Sequence, residues 1–153
     1  MQDQNLGGSP VMDRQRALVR AIERWRDARI EEYWIGVSYM GPAVNRFGDH
    51  ELTVVKGELW HRWDGQWRKI ARGSDYWLFS VPGAFAWARD VLRRTQGSGQ
   101  PQPTLELEFD ETLGYVKRMR LTAAGRDASN FTFEVRRFGR GPHPAFTGQG
   151  VGG

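Results

Sequence analysis

Hydrophobic and polar positions alternate most regularly over residues 50–71, HELTVVKGELWHRWDGQWRKIA. Lys56-Gly57 and Asp64-Gly65 are tight-turn signals flanked by short alternating runs, so the stretch reads as a three-stranded meander. With two-residue loops, Val55 faces Glu58 and Trp63 faces Gln66, and every other cross-strand pair follows by counting. One face then collects Leu52, Val54, Leu59, His61, Trp63 and Ile70, the set expected in the core. The other collects Glu51, Thr53, Trp60, Arg62, Trp67 and Lys69. Arg62 is expected opposite Trp67 and Trp60 opposite Lys69, so cations and indoles alternate on that second face.

Elsewhere the period changes. From Asp13, a suitable N-cap, Leu18, Ile22 and Trp25 recur at helical spacing, predicting a helix to about Ala28 with Arg16, Arg20 and Arg24 on a solvated stripe. Glu32 to Tyr39 alternates as a strand with Tyr33, Ile35, Val37 and Tyr39 on one side. Ser80 is an N-cap for a second helix, which tolerates Pro82 in its first turn and lines up Phe85, Ala88 and Leu92. Three more strands follow: 104–109, with Leu105, Leu107 and Phe109 inward; about 116–122, with Met119 and Leu121 inward; and 131–138. Glu106 and Glu108 face outward beside Arg118 and Arg120, the pattern of a cross-strand charge ladder. Residues 72–79 have no readable period.

The predicted fold is α+β with two layers. One curved antiparallel sheet of about six to seven strands carries two helices on a single face, and the other face is left open. Residues 1–12 read as a mobile lead-in, 13–138 as one domain, and 139–153 as a disordered Gly/Pro-rich tail.

Composition changes this picture little. A length of 153 residues with seven Trp and eight Phe suits one folded domain. The absence of cysteine excludes disulfides and thiolate metal sites. A net charge of +4 comes from 19 Arg and 3 Lys against 18 acidic residues, which permits an acidic partner without requiring one. The opening residues lack the basic start and apolar core of a signal peptide, and no apolar run approaches a membrane span. As written, the chain is expected to be soluble and cytoplasmic, or a mature form whose export signal has been removed.

No catalytic or metal motif stands out. There is no G-x-S-x-G, and His50, His61 and His143 have no partner at triad spacing. His50 and His61 fall near each other on the meander's core face, but a metal site needs three or four converging ligands, so structural histidines are expected and no metal or cofactor is assigned. Glu106, Glu108, Asp110 and Glu111 read as a solvated sheet edge rather than a glycosidic acid pair. The binding surface assigned from sequence is therefore Trp60, Arg62, Trp67 and Lys69, where indoles and cations could stack sugar rings, nucleobases or a partner's side chains at about 0.5 to 2 kcal/mol per contact. Packing of the same indoles against a neighbouring strand or loop is the competing account.

The order of ERWRDARIEEYWIGVSY, LTVVKGEL, VPGAFAWARDVLRR and LELEFDETLGYVKRMRL resembles a bacterial family, domain of unknown function 6174, over about residues 18–138. Its most specific pieces are Tyr33, the turn Leu52 to Gly57, and Phe109, Asp110, Gly114 and Tyr115. This chain departs from the pattern in lacking an export signal and the cysteines many members carry, and in having Val116 where a proline is common. Members are mostly small exported or lipid-anchored envelope proteins, so the resemblance implies an extracytoplasmic setting, periplasmic or secreted, and no mechanism.

Together these readings point to a non-enzymatic binding or protein-interaction module of the bacterial cell envelope, with an unknown protein or polysaccharide as partner. Glutamates on the sheet and the lack of an RNA-binding signature argue against nucleic acid. The alternative is a small hydrolase or isomerase whose pocket, between helices and sheet, is lined by Tyr33, His50 and His61.

Overall fold

The computed structural model describes residues 10–41, 48–95, 103–122 and 130–147. The loops expected at 42–47, 96–102 and 123–129 lie outside the described residues, as do 1–9 and 148–153. Helix α1 spans Pro10–Ala28, followed by strands β1 (Tyr33–Met40), β2 (Gly48–Val55), β3 (Glu58–Trp63) and β4 (Gln66–Lys69). A 3₁₀ turn at Asp75–Phe79 leads into helix α2 (Val81–Arg94), and β5 (Thr104–Phe109), β6 (Val116–Thr122) and β7 (Phe131–Arg140) complete one antiparallel sheet in the order β4-β3-β2-β1-β7-β6-β5. The architecture is the α+β arrangement read from the sequence.

The meander has the register that counting from its turns predicts, with Val55 opposite Glu58, Arg62 opposite Trp67 and Trp60 opposite Lys69. Both turns place two consecutive residues at positive φ, Lys56 and Asp64 at 54° and their glycines at 76° and 77°. That primed geometry matches the twist of the flanking strands. The sheet's other end keeps its charge ladder, Glu106 opposite Arg120 and Glu108 opposite Arg118.

Helix α2 begins as expected. Ser80 caps it by accepting the Gly83 amide, and its apolar line of Ala84, Phe85, Ala88, Val91 and Leu92 is buried. These side chains, with Leu18 and Ala21 of α1, pack on Tyr33, Ile35, Val37, Tyr39, Leu52, Leu59, Met119 and Phe133 from the sheet. Burying a large apolar side chain contributes about 1.5–3 kcal/mol, so this layer is the main source of stability. Tyr33 adds a polar anchor: its hydroxyl accepts the Val81 amide at 2.9 Å, at the start of α2. Burial pushes the Tyr33 phenol well above its ordinary value, a rise that the Val81 hydrogen bond only partly offsets.

Three expectations are corrected. Helix α1 starts at Pro10, inside the presumed lead-in. Strand β7 continues to Arg140, and residues 141–147 fold back over the sheet, so this part of the tail is ordered. Its contacts with the sheet are long-range, most of them to sheet side chains, and local composition does not register them. Trp63, assigned to the core, is 55% exposed, whereas Trp67 on the opposite face is 5% exposed. Trp63 closes β3 with its ring left open to solvent, and Trp67 lies under the returning tail. Among the described residues no helix is long and apolar enough to cross a membrane.

Candidate binding site on the helix-free face

Alternation turns one set of side chains away from the helices, and register lines them up across strands. Trp67 of β4 sits beside Arg62 of β3, and Glu51 of β2 pairs with Gly36 of β1, which pairs with Arg137 of β7. Arg137 reaches this line through a bulge. Gly36 pairs with Arg137 but Val37 pairs with Val135, so Arg136 is the extra residue. Gly36 contributes no side chain, and over it opens a cleft of about 460 Å³ with Asp49, Glu51, Arg62, Asp64, Arg136 and Arg137 in its lining.

Glu51 is the centre of the cleft. Its Oε1 accepts from Arg62 at 2.9 Å, and its Oε2 lies 3.5 Å from the Arg137 guanidinium and 3.3 Å from Nε2 of His143. Partial burial pushes the Glu51 carboxyl up, but hydrogen bonds from Arg62 and His143, with the Arg62 charge, outweigh it and hold the group below its ordinary range. The tautomer of His143 follows from its other contact. Nδ1 accepts the Ala145 amide at 3.0 Å, so the neutral ring carries its proton on Nε2 and donates it to Glu51.

Beside the cleft, residues 141–147 form a strap over the aromatic part of the face. The His143 amide donates to Thr53 Oγ1 at 3.1 Å, and the Trp67 indole donates to the Ala145 carbonyl at 3.3 Å. The His143 ring lies against Trp34 and Trp67, with centroids 4.7 and 5.1 Å away, and Phe146 lies against Trp60 and Trp67 at 5.3 and 5.5 Å. Trp34 itself fits only because Gly139 is beneath it: a Cβ there would come within 2.0 Å of the indole nitrogen.

Of the residues assigned to the binding surface, Trp60 and Trp67 pack under the strap. Arg62 joins the cleft while its guanidinium lies 5.8 Å from the Trp67 ring centroid. Lys69 does not join them, pairing instead with Glu58 at 2.8 Å. Gly36, Arg137, His143 and Phe146 had no assignment from sequence. The Gly36 position was readable from the alternation of β1, but the bulge and the strap have no local signal.

Tyr33, His50 and His61 share the core face, with Tyr33 apart from the two histidines. Val37, the partner of His50, is four residues along β1 from Tyr33, roughly 13 Å at strand rise. His50 Nδ1 and His61 Nε2 share a hydrogen bond at 3.0 Å. Tyr76 stacks on His61 at 4.3 Å and Phe79 lies 5.4 Å from His50, so rings enclose the pair. Among the described residues no three His, Cys, Asp or Glu side chains are grouped to hold a metal ion. No protein-family model matches the chain, and no curated protein matches it.

Proposed function

We propose that the domain is a non-enzymatic binding module that takes an acidic segment of a partner protein in the cleft of the helix-free face. One observation is central to this reading: Arg62 and Arg137, from strands on either side of Gly36, converge on a single carboxylate within an open cleft. A pair of guanidiniums already arranged around one carboxylate needs little reorganisation to share a second. Arg136 and Arg137 are well exposed, at 61% and 66%, and so accessible to a ligand. Asp49 and Asp64 on the rim would select against a uniformly anionic polymer and favour a chain of mixed charge. On the resemblance to domain of unknown function 6174, we place this activity at the bacterial envelope.

The test is a calorimetric titration at low salt with two peptides of equal length, an acidic one carrying a glutamate cluster among neutral and basic residues and a lysine-rich one, on the wild type and on Arg136→Ala/Arg137→Ala. The expected result is binding of the acidic peptide alone, weakened about tenfold in the variant and strongly reduced by salt. Equal binding of both peptides, or none, would overturn it.

A further inference from the structure

The strap is a small folded unit. Phe146 donates its amide to the His143 carbonyl at 2.8 Å, closing a β-turn with Pro144 in its second position. Proline there presets the turn, and the Ala145 amide bond to His143 Nδ1 braces it from inside. The rings at the two ends of the turn, His143 and Phe146, are the ones seated among Trp34, Trp60 and Trp67.

The sheet holds the turn mainly through side chains. Thr53, Glu51 and Trp67 each contribute one polar contact, to the His143 amide, the His143 ring and the Ala145 carbonyl. The backbone bond from Gly141 to the Glu32 carbonyl, 2.8 Å, lies before the turn. Gly141, at φ 80° with nothing near its would-be Cβ, is the joint at which the chain leaves β7. A preset turn on a floor of indoles has the geometry of a bound peptide that happens to be covalently attached.

We propose that the Trp34–Trp60–Trp67 groove is a peptide-recognition site for a partner's β-turn of the form ring–Pro–small–ring, and that residues 141–147 are its resident self-ligand. The groove adjoins the acidic-segment cleft and shares Glu51 with it, but Arg136 and Arg137 line the cleft alone, so their substitution separates the two readings. Tethering gives the self-ligand an effective concentration in the millimolar range, so a free peptide competes only when the strap is weakened.

The experiment uses the full chain, wild type and Phe146→Ala, with the capped heptapeptide Gly-Pro-His-Pro-Ala-Phe-Thr as probe. Indole N–H resonances of Trp34, Trp60 and Trp67 are the readout. Phe146→Ala is expected to stay folded by circular dichroism and to bind the peptide at least tenfold more tightly than the wild type, with these three resonances shifting. A peptide with alanine in place of its phenylalanine should not bind. Binding should persist in Arg136→Ala/Arg137→Ala/Phe146→Ala, where acidic-segment binding is weakened about tenfold. A folded Phe146→Ala that leaves millimolar peptide unbound, or equal affinity in both proteins, would overturn the proposal. So would exchange of the wild-type His143 amide only through global unfolding, since the strap would then be part of the core; this measurement decides the matter even if the variant fails to fold.

Discussion

The Trp67 indole donates its N–H to the Ala145 carbonyl across 78 residues of chain, at 3.3 Å, and so joins the edge strand β4 to the returning tail. Only Trp67 is buried by that contact. Trp63, four residues earlier on the other face, is 55% exposed. Trp67→Ala should therefore cost about 3–5 kcal/mol in urea unfolding, as loss of a buried aromatic does, whereas Trp63→Ala should cost less than about 1 kcal/mol. Trp67→Phe separates ring from hydrogen bond, with an expected cost of about 1 kcal/mol. Equal costs for the two alanine variants would mean that the strap does not cover Trp67 in solution.

This contrast marks what the sequence could and could not reveal. Tight turns at Lys56-Gly57 and Asp64-Gly65 set the register of the meander, and period-two counting then assigned faces correctly through Lys69. Counting assigns a face but not what covers it. Trp67 is buried because a distant tail reaches it, and Trp63 has no such cover among the described residues. The tail itself was illegible because Gly139, Gly141, Pro142 and Pro144 have the composition of disorder, while the bond from His143 to Thr53 spans 90 residues. Arg137 was hidden for another reason: one bulge residue, Arg136, reverses which side chains of β7 share a face. The helices were legible because their caps and apolar lines are local.

A close approach between α1 and the β5–β6 bend supplies a second prediction. Gly114 has φ 89°, and a Cβ on it would lie 2.2 Å from the Ala21 carbonyl oxygen of α1. Neither the backbone conformation nor the helix backbone can yield cheaply. Gly114→Ala should therefore destabilise by about 3 kcal/mol, combining left-handed strain with overpacking. Gly65 is the control, since it has φ 77° but nothing within 4 Å of a Cβ. Gly65→Ala should cost only about 1 kcal/mol. Thermal melts of the two variants beside wild type distinguish these cases, and similar shifts would show that α1 does not rest on the bend.

The Glu51 carboxylate links the cleft to the strap, and its ionisation gives that link a pH dependence of known sign. Its ordinary value of 4.5 is lowered in the folded protein, where Arg62 and His143 bond the ionised form. The folded state thus binds this proton less readily than the unfolded chain does. The resulting stabilisation is present above about pH 4.5 and is lost as pH falls through the lower folded value. Glu51→Gln removes the charge, so the wild type should have the higher urea midpoint near neutrality. The two midpoints should then converge as the pH is taken below about 4.5. Because the group is partly exposed and screened, the gap at neutral pH should shrink in high salt. A gap that stays constant across the acid range would mean that Arg62 and His143 contact Glu51 without favouring its charge.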